Sequence, residues 1–231
     1  MQILDVSVLG LRTARMIFRH PDSNVSITLF PMVHVGEKQF YEDTYGEAFD
    51  HDVALVEGLD SGVSRSLTRS YRWLNFEKLK LALQPKAPAQ QNAKARIVKA
   101  DLSAEEFHRE WKKVPIALRS ALYVMAPIFG IRGKLFASRA SLAKALSLDD
   151  HPSGEEVLSW DPKFEPIYNS IGLARDKRLI ECIEAELNDA NGSERRIAIV
   201  YGARHMRAVV RHLAKLGYHC SDTSWRTIFS V

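Results

Sequence analysis

The sequence predicts an α/β domain, with a largely parallel or mixed sheet flanked by helices and a helical insertion in the middle of the chain. Three observations predict it: short β-branched runs near both ends, a helix-length spacer between the first two runs, and helical patterning over about residues 60–150. With 231 residues, 46% of them apolar and 26% charged, the chain fits a single domain over 1–231, because single cores stop growing near ~250 residues. Disorder, collagen and coiled coil are excluded.

The first strand is expected over residues 25–30 and the second over 53–56, with a crossover helix in 36–50 between them. That spacing makes a βαβ unit with parallel strands. Residues 196–201 read as a strand buried on both faces, as does the second run, because both are almost wholly apolar. Residues 97–100 are a weaker candidate, and 218–231 read as a terminal hairpin or pair of strands. The middle suggests helices over 64–83, 103–113, 116–129 and 137–146, broken at 84–91 by a polar loop holding Pro85 and Pro88. Ser103 and Glu106 have the spacing of a capping box. A further helix over 172–188 presents Leu173, Leu179, Ile180, Ile183 and Leu187 as its apolar stripe, with Asp176 in the middle of it and Arg175 to one side. The last helix presents Met206, Val209, Leu213 and Leu216, with His205 at the stripe's edge in its first turn.

Composition narrows the function classes. Two cysteines, Cys182 and Cys220, cannot build a disulfide framework, which fits a reducing compartment and two thiols used for packing. The first residues lack the basic then apolar pattern of a secretory signal, so the expected address is cytoplasmic. The longest uncharged apolar stretch, residues 121–131, is too short to span a bilayer, so no transmembrane segment is expected. Charge is uneven. Residues 60–140 hold sixteen Lys and Arg against six Asp and Glu, leaving the flanks acidic. No interleaved aromatics, zinc-finger spacing or long basic run accompanies that excess, which argues against a nucleic-acid partner and for a solvated helical face.

Polar residues at the C-terminal ends of parallel strands converge on one crevice. Here the strand ends carry His34, Glu57 and Asp101, and His205 follows the last strand after Gly202-Ala203-Arg204. Two imidazoles with a carboxylate suit a divalent ion such as Mn, Co or Zn. Each residue also has a plain reading. A histidine after a strand is commonly a hydrogen-bonded edge residue, Asp101 reads equally well as a cap for the following helix, and Asp176 as half of a structural ion pair. Glu57 stands out, because a carboxylate directly after an apolar strand is costly without a partner.

Taken in order, these residues resemble the TraB and pheromone-shutdown family, which includes the TIKI metalloproteases and is distantly similar to erythromycin esterase and the haem-binding ChaN proteins. The resemblance covers about residues 25–59 and 172–218. His34 matches the family's first histidine, with Pro31 and Met32 where the family has Gly and Thr. Val53-Ala-Leu-Val-Glu57 matches its strand ending in glutamate, Ala174-Arg175-Asp176 its helix, and Gly202-Ala-Arg-His205 its closing Gly-x-x-His. What the resemblance implies is a shared α/β fold and, as in the TIKI members, divalent-metal-dependent peptide hydrolysis, other members being assigned to inhibition of peptide signals without an agreed reaction. His34, Glu57 and His205 would then be the metal set, and Glu57, Arg175 and Asp176 the catalytic groups. Asp101 and Arg204 fall to contact with a peptide or small-molecule substrate. The first alternative is a non-catalytic scaffold that sequesters a peptide, haem or other ligand. The second is a peripheral membrane or nucleic-acid protein acting through the basic middle, with residues 114–129 as an interfacial helix.

Overall fold

The computed structural model describes residues 2–88, 90, 93–147 and 172–231. A seven-stranded mixed sheet forms its centre, flanked by helices. The expected α/β architecture is present.

The inner sheet is parallel. Strand β3 (Val25–Met32) pairs with β8 (Arg195–Gly202), β8 with β5 (Val53–Val56), and β5 with β7 (Arg96–Lys99). Helix α1 (Lys38–Ala48) makes the β3-to-β5 crossover, and β8 inserts between those two strands. Val53–Val56 is buried throughout, as are residues 197–201 of β8, which is why both read as unbroken apolar runs. Pro31 is tolerated in β3 because the antiparallel ladder to β2 (Gly10–Arg19) stops at Leu29. From that side the Thr13 hydroxyl donates to the Pro31 carbonyl at 3.2 Å, so no ladder bond is lost.

The antiparallel half departs from the sequence reading. Strands β1 (Leu4–Ser7) and β2 were not anticipated, and the C-terminal segment is one strand, β9 (His219–Ser230), running along β2 rather than a hairpin. Three arginines interrupt the β-branched pattern of β2. Arg12 is answered by Asp5 at 2.5 Å and Arg15 by Glu47 at 2.6 Å, partners that lie in other elements.

Residues 64–83 form a broken series instead of one helix. Helix α2 (Gly62–Leu67) leads into a 3-10 turn (Thr68–Trp73), then α3 (Phe76–Leu79) and β6 (Ala82–Leu83), which pairs with the short β4 (Val35–Gly36). Hydroxyls explain the break: Ser61 caps α2, Thr68 donates back to the Ser64 carbonyl at 2.8 Å, and Asn75 starts a new cap. Helix α4 (Ala104–Lys113) begins with the expected Ser103–Glu106 capping box. Helix α5 (Ile116–Phe136) passes through Pro127 and is 21 residues long, well beyond the apolar stretch the sequence marks out. It is the one helix among the described residues with the length and composition to cross a membrane. Helix α6 (Arg139–Leu146) follows.

Helix α7 (Ala174–Ala190) buries Arg175, Leu179, Ile183, Glu186 and Ala190, so its inward face is turned towards Arg175. Leu173, expected inside, is exposed, and Asp176 sits at the flank of the stripe rather than its middle. Beyond β8 a 3-10 turn (Ala203–His205) runs into α8 (Met206–Lys215), which buries Met206, Val209 and Leu213 while Leu216 is exposed. Of the two thiols, Cys182 is half-buried and Cys220 is exposed, so only the first contributes to packing.

Candidate active site

The parallel register brings the strand ends level. Met32 pairs with Gly202, and Val56 with Val200, and the amide of Glu57 extends the second ladder by donating to the Val200 carbonyl at 3.1 Å. Val56 is also opposite Lys99, with the Ala100 amide donating to the Val56 carbonyl at 3.0 Å. Glu57, Asp101 and Gly202 therefore emerge side by side from three adjacent strands, and the first turn of α7 lies over them.

Arg175 ties the carboxylates together. Its Nη2 donates to Glu57 Oε1 at 2.5 Å and to Asp101 Oδ2 at 2.7 Å, and its Nε donates to Asp101 Oδ1 at 2.9 Å. The guanidinium also lies 5.3 Å above the centroid of the Tyr201 ring. Backbone amides complete the cluster. Gly58 and Leu59 donate to Asp101 Oδ2, Leu102 to its Oδ1, and Gly202 to Glu57 Oε2. Asp101 is thus a buried ion-pair partner, and the cap of α4 is Ser103. Burial pushes the pKa of Glu57 up, but Arg175 foremost, then His205 and His34, pull it further the other way, to about 2.

Behind the triad sits a second pair. Asp176 Oδ1 lies 2.5 Å from His205 Nδ1, and His205 is only 2% exposed. With a carboxylate as acceptor, the hydrogen bond assigns the proton to Nδ1 and leaves the Nε2 lone pair open. Burial lowers the His205 pKa, against the opposing pull of Asp176 and Glu57, so the ring is neutral at pH 7. The Tyr201 ring stands edge-on to it at 5.0 Å. A Cβ on Gly202 would stand 3.4 Å from Glu57 Oε2 and 3.5 Å from His205 Cδ2, ordinary contact distances that place Gly202 between the two groups.

His34 is half-buried beside Tyr71, with ring centroids 5.2 Å apart, and is among the groups that lower the pKa of Glu57. Arg204 is exposed. Asp176, read from the sequence as a catalytic group or as half of a structural ion pair, has His205 as its partner. Tyr201 escaped the sequence reading. Its hydroxyl is buried without a hydrogen-bond partner among the described residues, and inside an apolar strand nothing marks such a tyrosine out.

The divalent ion is not matched by this arrangement. Among the described residues no three His, Cys, Asp or Glu side chains are grouped to hold a metal. The oxygens of Glu57 and Asp101 already face Arg175 and backbone amides. What is built here is an oriented imidazole next to an ionised carboxylate. No protein-family model, no curated protein and no solved structure matches this chain.

Proposed function

We propose that the chain is a hydrolase of the TraB-like kind, acting in the cytoplasm on an amide or ester bond of a peptide or small molecule. The observation that carries this reading is the buried His205 held on Nδ1 by Asp176. In this reading Nε2 takes a proton from water as the water oxygen attacks the substrate carbonyl. The imidazolium then returns that proton to the leaving nitrogen or oxygen as its bond to the carbonyl carbon breaks. Glu57, ionised and adjacent, favours the transient positive charge on the ring. Arg175, engaged by two carboxylates, is a positioning residue that fixes Glu57 and Asp101. The resemblance would add a divalent ion, for which the grouping seen here supplies no three-ligand set.

The test is hydrolysis of an ester and peptide library by wild type and Asp176→Asn, each freed of metal by chelation and then assayed with and without Mn, Co or Zn. Asn is nearly isosteric but no longer selects the Nδ1–H tautomer, so the expected loss is ~10²–10⁴-fold with the circular dichroism spectrum unchanged. Equal activity in both proteins removes the Asp176–His205 pair from the chemistry. Activity that appears only with an added ion restores the metal of the resemblance.

The ligand-sequestering reading has its own support. A cavity of about 740 Å³ opens between α1 and residues 82–88, 93 and 94, lined by Tyr41, Tyr45, Phe49, Leu83, Pro85 and Pro88, with lysines among its lining. Wild type that hydrolyses nothing under any condition favours that reading.

A further inference from the structure

Helix α5 leaves an apolar surface uncovered on the outside of the molecule. Its inner stripe packs on the insertion: Leu118 and Leu122 join the cluster of Phe107, Trp111 and Val114, while Gly130 and Gly133 allow Trp73 and Leu74 to approach closely. At 100° per residue the opposite side is centred on Val124, Ile128, Ile131 and Leu135, which are 61%, 50%, 52% and 61% exposed. Phe129 and Phe136 are also exposed, but on the far side of Arg132 from this stripe. Single exposed apolar residues need no explanation, but a continuous face along a helix of about 31 Å does.

The face extends beyond the helix. Gly10 pairs with Ser230, and Arg139, just after the end of α5, donates to the Ser230 carbonyl at 2.8 Å. The β1–β2 turn, with Val8 at 93% and Leu9 at 71% exposed, and the terminal Val231 therefore lie at the same corner as the α5 C-terminus. Charge indicates what meets this surface. From residue 112 to 148 the sequence holds Lys112, Lys113, Arg119, Arg132, Lys134, Arg139 and Lys144, and no Asp or Glu. Lys134 and Arg132 fall on the two margins of the apolar face. Lys113 is engaged by Glu110 and Arg139 by Glu37, but Arg132 and Lys134 border the apolar face; a second copy packed face to face would bring these like charges together, whereas an anionic surface would attract them.

We propose that α5 and the Val8–Leu9 turn lie on an anionic lipid bilayer, with the helix axis in the plane of the interface. An apolar stripe bordered by cations is the pattern of an interfacial helix, and each cation near an anionic surface contributes on the order of fivefold in binding. The packing of Gly130 and Gly133 against the protein keeps the helix on the surface rather than across the membrane. This inference does not depend on the hydrolase reading.

The test is co-sedimentation of the full chain with phosphatidylcholine vesicles containing or lacking phosphatidylglycerol, alongside sedimentation velocity without lipid. Wild type is expected to pellet with the anionic vesicles at least about tenfold better than with the neutral ones, and less well at raised salt. Val124→Glu/Ile128→Glu alters only exposed positions and is expected to abolish pelleting with the circular dichroism spectrum retained. Arg132→Glu/Lys134→Glu is expected to weaken pelleting with the anionic vesicles alone. Wild type that remains in the supernatant with both vesicles overturns the proposal. So does a concentration-dependent dimer abolished by Val124→Glu/Ile128→Glu without vesicle binding, which would assign the face to a second copy.

Discussion

His205 and Glu57 are both held without their titrating proton in the same small volume, one neutral and the other ionised. Burial keeps the imidazole neutral, while Arg175 keeps the carboxylate ionised down to about 2. Both features make the fold sensitive to acid. His205 has its pKa lowered from 6.5, as does the buried His51, which bonds Thr28 and the Glu47 carbonyl. Below about pH 6.5 the unfolded chain therefore binds protons that the native chain refuses, and stability falls as pH falls. Glu57 acts in the same direction over a lower window, from its ordinary 4.5 down to about 2, where only the unfolded carboxylate is protonated. The melting temperature is expected to decline continuously from pH 7 to pH 3, and a flat profile between pH 7 and pH 5 would show that these histidines are not held neutral. The residue types at the strand ends were legible in the sequence, because an acid directly after Val53-Ala-Leu-Val stands out. The rotation of α7 was not: a pattern that counts arginine as polar places the stripe on Leu173, whereas two carboxylates on neighbouring strands draw Arg175 inside.

Among the elements, β2 and β9 carry the largest difference between expectation and structure. Their arginines and polar residues hide a long antiparallel ladder whose charges are balanced by Asp5 and Glu47 from other elements and by Asp222 within β9. Gly10 sits where that ladder begins, at a φ of 136°, and a Cβ there would come within 2.2 Å of the Phe229 carbonyl oxygen. Gly10→Ala is therefore expected to destabilise the protein by about 1–3 kcal/mol in urea denaturation, through backbone strain and the clash together. Loss below about 0.5 kcal/mol would mean that the β2–β9 end adjusts freely, since harmless surface substitutions stay within that range. The series from α2 to β6 was misread for another reason: serine, threonine and asparagine divide an apparently helical stretch by bonding local backbone, and apolar periodicity does not register that.

Across the molecule the inner parallel strands were the most legible part, because burial on both faces leaves uninterrupted apolar runs whose ends are easily located. The βαβ spacing then places His34, Glu57 and the residues after Gly202 on one edge. Which of those side chains touch depends on the crossing of α7 over the sheet, which no local pattern encodes. The claim at the centre of the account is that His205 is a neutral base with its Nε2 free. The direct measurement is nitrogen-edited NMR of protein labelled with ¹⁵N-histidine, comparing wild type with Asp176→Asn at pH 7. The account predicts a neutral His205 protonated on Nδ1 in wild type, titrating below 6.5, and a change of tautomer population in the variant. A wild-type His205 that is charged at pH 7, or protonated on Nε2 alone, would contradict it.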